Sequence, residues 1–517
     1  MPRTRPAADE PVPIEAAIVL AAGAGTRMRS ARPKVLHSIA GKPLLWHAVS
    51  ALAALSPEHL VAVIGHGRVQ VEEFLAGADD LPTVVTAIQD RQLGTGHATG
   101  CALAALSSQV SGTVLVSYGD VPLLRTETLA ALAAGHVAAG NAITVLTATV
   151  SNPTGYGRIL RDAYGELASI VEQRDADEAV RGITEINSGV YAFDGAVLAD
   201  VLPRIGSGND QGEQYLTDVV GLAKAEGGRV GTVRADDPVE TEGVNDRVQL
   251  ARLARVLNDR IVRRQQLAGV TIHDPATTWI HADVTIGEDT EIWPGTHLEA
   301  GTTIGSGTSV GPDTTLSACS VGDAATVLRS HCQGARIGDR ATVGPYSYLR
   351  PGAVLGEEAH VGAHVEIKKS TIGAGAKIPH LSYIGDATIG AGTNIGAGVI
   401  TANYDGLGKF PTTVGENAFV GTNSTLVAPV DVADGAYIAA GSTVTDQVPA
   451  GALGVARGRQ HTSAGWVLRR RAGTAADRSA RAAGASADPA GVAHTDTDND
   501  NESAADSTDA AAKDVTG

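Results

Sequence analysis

Aromatic residues make up only 3 % of the 517-residue chain, and it has just three cysteines and two methionines. So few rings leave the cores to be built from small aliphatic side chains. Cys101, Cys319 and Cys332 share no CxxC-type spacing, so neither a disulfide framework nor a zinc site is indicated. No run of about 18 apolar residues occurs, and Met1 to Pro13 lacks the apolar stretch of a signal peptide, so a soluble protein in a reducing cytoplasm is the expectation. Positive charge is also short. The 40 Lys and Arg face 57 Asp and Glu, a formal net charge of −17, which would repel nucleic acid and anionic membrane alike. What the chain has in abundance is glycine, 62 residues, alongside 43 % hydrophobic content, a combination suited to many tight turns around aliphatic cores. Its length exceeds one ordinary core, which predicts two or more domains.

Residues 14–246 read as one α/β domain. Short β-type runs, Ala17 to Leu20, Leu60 to Ile64 and Thr113 to Ser117, alternate with helical stretches, Leu44 to Leu55 and Gly96 to Leu106. That alternation predicts a Rossmann-like, mostly parallel sheet with helices on both faces. Across 247–269, Leu250, Leu253, Leu257 and Ile261 recur at helical spacing among arginines and aspartates, which predicts a connecting helix. From 270 to 471 a six-residue period takes over. An aliphatic leads each unit at Ile280, Ile286, Ile292, Leu298, Ile304, Val310 and Leu316, then at Ile337, Val343, Leu349, Leu355, Val361 and Ile367. After a phase shift it continues at Ile372, Ile378 and Ile384, and a last run covers Val414, Val420, Leu426, Val432, Ile438 and Val444. Ordinary strands have a period of two and do not generate this pattern; it specifies a left-handed parallel β-helix in which aliphatics stack coil on coil. The period breaks at Asn403 to Thr413, which must leave as a loop. Residues 1–13 and 472–517 are expected to be without structure, the second with nine acidic against three basic residues and almost nothing large and apolar.

After the first strand comes Leu20-Ala-Ala-Gly-Ala-Gly-Thr-Arg-Met-Arg-Ser30, followed by Pro33-Lys34-Val35-Leu36. Small residues let the backbone approach a nucleotide, free N–H groups in a turn cradle phosphate, and Arg27 and Lys34 neutralise it. The glycine spacing is not that of a dinucleotide fingerprint, and no Gly-Lys-Ser/Thr of a Walker loop follows. A glycine turn alone could be merely structural. Here it is joined by Gln89-Asp-Arg-Gln-Leu-Gly-Thr-Gly-His97, Tyr118-Gly-Asp-Val-Pro122, Pro153-Thr-Gly-Tyr-Gly-Arg158, Ile170-Val-Glu172, Asn187-Ser-Gly189 and Glu242-Gly-Val-Asn-Asp246. The set resembles sugar-1-phosphate nucleotidyltransferases, most closely the family of bifunctional N-acetylglucosamine-1-phosphate uridylyltransferases and glucosamine-1-phosphate acetyltransferases. The resemblance implies that Leu20, Ala21, Ala22, Gly23, Lys34, Gln89, Gly94, Thr95, Tyr118 and Asp120 contact UTP. It implies further that Gly157, Glu172, Asn187 and Asn245 hold N-acetylglucosamine-1-phosphate, and that Asp120 and Asn245 ligate one or two Mg²⁺ ions. Such hard oxygen ligands suit Mg²⁺, and Asp120 falls at a strand end, where parallel sheets bind their ligands.

Within the β-helix, polar side chains stand where a plain coil needs none: Arg350, Lys368 and His380-Leu-Ser-Tyr383. Histidine suits proton removal from an amine near neutral pH, although a lone histidine is usually a surface or structural residue. By the resemblance, His380 is the base that deprotonates the amine of glucosamine-1-phosphate. Arg350, Lys368, Tyr383 and Asn394 match the sugar-phosphate contacts, and Ala397, Asn403, Tyr404, Thr422, Ala440 and Arg457 fall where acetyl-CoA is bound. Thr422 departs from the family's serine but keeps a hydroxyl, and Arg457 sits in a divergent stretch. The resemblance also implies a homotrimer packed through flat prism faces of small side chains, with active sites between neighbouring prisms, and a product, UDP-N-acetylglucosamine, for peptidoglycan and other envelope polysaccharides. On the residues alone two other readings stay open: a nucleotidyltransferase for another sugar or base with a regulatory or trimerising β-helix, and a non-enzymatic scaffold. His380, Lys368 and the Asn403-Tyr404 loop weigh against the first; Asp120, Asn245 and the Arg27/Lys34 pair weigh against the second.

Overall fold

The structure, a computed structural model, describes residues 12–106, 108–209 and 212–487; the expectations for residues 1–11 and 488–517 lie outside them. The chain divides into one unit ending at Val455 and a second beginning at Ala456.

The first unit opens with strand β1 (Ile14–Leu20), which is buried along most of its length. Ala16, Ile18 and Leu20 enter one apolar layer while Ala17 and Val19 enter the other. Successive side chains of a strand face opposite ways, so a strand covered on both sides reads as an unbroken apolar run. A short antiparallel hairpin follows, β2 (Ser38–Ile39) and β3 (Lys42–Pro43). Then come β4 (His59–Ile64), β5 (Val85–Ile88), β6 (Thr113–Tyr118), β7 (Ile143–Thr149), β8 (Arg158–Arg161), β9 (Leu167–Val171), β10 (Glu185–Asp194) and β11 (Val230–Arg234). The main sheet runs β11-β7-β10-β6-β1-β4-β5. Its pairs are parallel except those of β10, which is antiparallel to β6 and β7; β8 and β9 form an antiparallel ribbon attached to β10. Of the helices α1 (Leu44–Ala53), α2 (Arg68–Ala76), α3 (Thr95–Ala104) and α4 (Thr126–Ala139), all but α3 cover one face, through Leu45, Val71 and Leu129 among others. The opposite face carries α3 with two later helices, and a short α5 (Glu178–Arg181) precedes them in the chain. These two are α6 (Gly195–Val201) and α7 (Asp218–Ala225), anchored by Leu198 and Val219.

Helix α8 (Arg247–Leu267) starts at Asp246, whose side chain accepts from the Gln249 N–H, a normal N-cap. Leu253 joins a small core with Met28, Ile39, Leu44, Leu123 and Val244, whereas Ile261 and Val262 enter the core of the β-helix. The buried Asn258 donates to the Thr278 carbonyl (2.8 Å) and accepts from the Ile280 N–H (2.9 Å), so α8 is stitched to the first coil. The β2–β3 hairpin is stitched there too, Ala282 N donating to Ala40 O at 2.9 Å.

In the β-helix the strands stack into parallel sheets of eleven, ten and nine strands. Ile280, Leu298 and Leu316 lie in register, one above another. All the leading aliphatics of the hexads are buried except Ile286, which is half-buried. The gap in the hexad pattern between Leu316 and Ile337 is filled by Val321, Val327 and Cys332, with Cys332 in the inward place between Leu316 and Leu349. The three cysteines are free, and burial pushes the thiols of Cys319 and Cys332 up. Fully buried threonines two places before the aliphatics tie coil to coil: Thr290 Oγ1 donates to Gly305 O (2.7 Å) and Thr308 Oγ1 to Gly322 O (2.8 Å). The loop is shorter than expected, because strand Thr412–Val414 already contains its last two residues. The prism faces also differ from the expectation of small side chains. Tyr348, Phe419 and Tyr437 are exposed on them, the last two stacked with ring centroids 5.4 Å apart.

The second unit holds α9 (Trp466–Arg470) and α10 (Ala475–Ala482). A chain without structure from residue 472 is therefore wrong for α10. Its Thr474 cap accepts from the Asp477 N–H, and Arg481 pairs with Asp477 one turn away at 2.9 Å, local bonds that offset the poverty of apolar residues.

Candidate functional site

The turn after β1 is held at the carboxyl edge of the sheet by its two neighbours: Ala21 N donates to Val63 O (2.8 Å), and Gly119 N donates to Leu20 O (2.9 Å). All ten residues predicted to contact the nucleotide, Leu20, Ala21, Ala22, Gly23, Lys34, Gln89, Gly94, Thr95, Tyr118 and Asp120, line one cleft of about 280 Å³. Gln89 donates its amide to Gly94 O (3.0 Å) and so pins the loop that opens α3. Gly94 has φ +103°, and a Cβ there would stand 2.5 Å from the Gln214 carbonyl oxygen, so only glycine fits. The sequence reading missed Gln92, whose amide donates to Ala22 O (2.9 Å) across the cleft; its place in the Gln89 string was the only available signal.

Asp120 stands two residues beyond the end of β6, and Lys34 places its ammonium on the Asp120 carboxylate. Arg27 Nη2 donates to Asn245 Oδ1 at 2.9 Å, and Val244 N donates to Asp120 O at 2.9 Å. Two oxygen donors from distant segments thus stand on adjoining backbone, each matched by a cation. A carboxylate and an amide oxygen fit an ion that takes few protein ligands and keeps water and phosphate oxygens, which is the habit of Mg²⁺. Among the described residues no cluster of three or more His, Cys, Asp or Glu forms a protein cage for a metal. The segment bearing Asn245 is itself anchored by Glu240, a fully buried carboxylate that accepts from Arg125 and from Thr128 Oγ1 (2.6 Å). Nothing in the sequence singled Glu240 out.

Gly157, Glu172 and Asn187 also come together. Asn187 N donates to Gly157 O at 2.9 Å, and a Cβ on Gly157 would lie 3.3 Å from Glu172 Oε1. Burial, then Asp175 and Asp218, raise the Glu172 carboxyl above its usual range. Burial, then the charges of Glu172 and Asp120, raise the Tyr118 hydroxyl.

On the β-helix the register sorts the remaining candidates. Ala363 pairs with His380, Lys377 with Asn394, Asn394 with Phe419 and Phe419 with Tyr437. Counting three residues on from the last three pairs puts His380, Ala397, Thr422 and Ala440 in one column along an edge of the prism, with His380 at its lower end and exposed. Lys368 and Tyr383 belong to the ten-stranded sheet and Arg350 directly follows its strand Tyr348–Leu349, with Arg350 Nη1 donating to Glu366 Oε1 (2.9 Å) and Glu366 in register with Tyr383. Lys368 is buried and donates to Asp386 Oδ2 at 3.0 Å; the Asn403 amide donates to the same oxygen. Tyr404 is 60 % exposed on the loop. Asn394 stands on the eleven-stranded sheet, a different face from Lys368 and Tyr383, so one chain does not gather all the sugar-phosphate candidates. Arg457 lies in the second unit, apart from the rest in the chain. Glu366 and Asp386 were missed, since a single acidic residue in a hexad carries no sign of what it pairs with.

Residues 17–185 match the MobA-like NTP transferase domain, and residues 283–318, 334–369 and 411–446 match the bacterial transferase hexapeptide family, six repeats to each match. The chain is 53 % identical over 469 residues to the bifunctional protein GlmU of Streptomyces avermitilis, covering 90 % of this chain and 97 % of that one. It is 52 % identical over 474 residues to the proteins of the same name from Kineococcus radiotolerans and Streptomyces coelicolor, covering 92 % of this chain in both cases and 96 % and 98 % of theirs. An α/β nucleotidyltransferase fold, a hexapeptide β-helix and identity of this level over nearly the full length of both partners agree, and the chain belongs to the GlmU family of bifunctional proteins.

Proposed function

We propose that the chain makes UDP-N-acetylglucosamine in two steps at two separate sites. On the β-helix an acetyl group passes from acetyl-CoA to glucosamine-1-phosphate; in the α/β domain a uridylyl group passes from UTP to N-acetylglucosamine-1-phosphate. The observation that carries this reading is the pairing of Lys34 with Asp120 and of Arg27 with Asn245 on adjoining backbone at the mouth of the cleft. In uridylyl transfer the sugar-phosphate oxygen attacks the α-phosphorus, the bond to the bridging oxygen breaks, and pyrophosphate leaves with the electron pair. Lys34 and Arg27 supply positive charge to the phosphoryl oxygens, and the cleft holds the reactants in line. Asp120 and Asn245 would hold Mg²⁺, which when bound neutralises phosphate charge. Lys34 then exchanges the Asp120 carboxylate for phosphate.

In acetyl transfer His380 takes a proton from the sugar ammonium, the freed amine attacks the thioester carbonyl, and the C–S bond breaks to release CoA. Arg350 and Lys368 bind the phosphate, Tyr383 and Asn394 the sugar, and the edge column through Thr422 and Ala440 the CoA, with Asn403, Tyr404 and Arg457 as further contacts. The separation of Asn394 from Lys368 on two faces of one prism supports a homotrimer whose sites close between neighbours. A cytoplasmic location is part of this proposal; no described helix is long and apolar enough to cross a membrane. The product would supply peptidoglycan and related polymers.

Purified wild-type, Asp120→Ala and His380→Ala proteins test this, with pyrophosphate and free CoA followed separately and N-acetylglucosamine-1-phosphate supplied for the first assay. Asp120→Ala should lose only pyrophosphate release and His380→Ala only CoA release. Wild-type protein that releases pyrophosphate and never CoA would reduce the β-helix to a scaffold.

A further inference from the structure

We propose that Asp386 is a positioning residue that couples the two substrates of the acetyltransferase site, a step that rests on reading Lys368 as a sugar-phosphate group and Asn403 as an acetyl-CoA contact. Asp386 follows strand Tyr383–Gly385 with a left-handed backbone, φ 48°. Its Oδ2 accepts from Lys368 Nζ at 3.0 Å and from the Asn403 amide. Its carbonyl accepts from Thr412 N (3.2 Å), and its own N–H donates to Lys368 O (2.9 Å). A single residue therefore grips the ammonium and both roots of the protruding loop, since Asn403 opens that loop and Thr412 closes it. Lys368 and Asn403 are 8 % and 6 % exposed, so these bonds are shielded from water and strengthened accordingly.

A second cation completes the arrangement. Lys409, on the returning limb of the loop, sits against Lys368, and that neighbour holds its ammonium below the ordinary lysine range. Only Lys368 bonds the Asp386 carboxylate; Lys409 feels its charge at longer range. A dianionic sugar phosphate arriving at Lys368 competes with Asp386 for that ammonium. The freed carboxylate then turns wholly to Asn403, drawing the root of the loop onto the prism edge where CoA is to lie. Occupancy of one pocket is felt in the other, and by linkage the effect runs both ways.

Calorimetric titration of full-length protein with CoA, a ligand that cannot react, measures this directly, without and with saturating glucosamine-1-phosphate. In wild type the sugar phosphate should tighten CoA about tenfold, within the usual range of coupling between sites. In Asp386→Asn, which keeps the shape and loses the charge, the ratio of the two affinities should fall to about one, with uridylyl transfer unchanged. Should that variant not fold, Asn403→Ala severs the loop tie alone and must also bring the ratio to one, whatever it does to CoA affinity itself. Equal CoA affinity with and without sugar phosphate in wild type overturns the proposal, as does a ratio that survives in either variant. Failure of the underlying reading looks different: neither ligand binds the wild-type β-helix, or His380→Ala still releases CoA.

Discussion

At the scale of single residues, the groups that brace the proposed sites act across long stretches of sequence. Lys34, Asp120, Arg27 and His380 are residue types that phosphoryl and acyl transfer require, and each sits in a string with its own spacing. Glu240, Asp386 and Gln92 act on partners 112, 17 and 70 positions away, and nothing local marks them. His136 is another such residue. It is buried in α4 with Nδ1 3.1 Å from Thr144 Oγ1, and burial lowers its pKa from 6.5 to about 4, with Asp194 opposing. The unfolded chain accepts a proton below pH 6.5 that the folded domain refuses. Stability from this group is therefore fully present above about pH 6.5 and is lost as pH falls from 6.5 towards 4, at up to about 1.4 kcal/mol per pH unit. Thermal unfolding of wild-type and His136→Gln protein across that range should show the variant with the shallower slope.

At the scale of elements, the β-helix was the most legible part, because its period of six admits only one way of burying every leading aliphatic. The pattern failed where another small residue took the inward place, as Cys332 does. The α/β domain was legible in class and less so in order, since the antiparallel insertion of β10 between β6 and β7 depends on pairings that no local signal encodes. Ile367, with no exposed surface, lies in the coil that carries Lys368. Ile367→Ala should cost about 2–5 kcal/mol, the usual price of a cavity in a core. Chemical denaturation followed by circular dichroism should show the loss, and CoA release should fall at a lower denaturant concentration than pyrophosphate release.

At the scale of the whole chain, the proposed assignment gives the two activities of one polypeptide a different dependence on metal. Treating the protein with a chelator should abolish pyrophosphate release and leave CoA release unchanged, and added Mg²⁺ should restore the first; loss of both activities would place a metal in the acetyl-transfer step too. The two domains are nonetheless tied by hydrogen bonds, through Asn258 and through the β2–β3 hairpin against the first coil. The 403–411 loop lies far along the prism from that junction. Strand Ile400–Ala402 pairs with Thr425–Val427 at an offset of 25 residues, where Thr425 and Thr443 above it pair at 18. The chain thus leaves the coil and re-enters it at the same corner, adding seven residues without rotating anything stacked above. The solenoid behaves like a ruled page on which a margin note shifts no line: at this corner the chain can gain or lose residues between its fixed roots while every later coil keeps its phase.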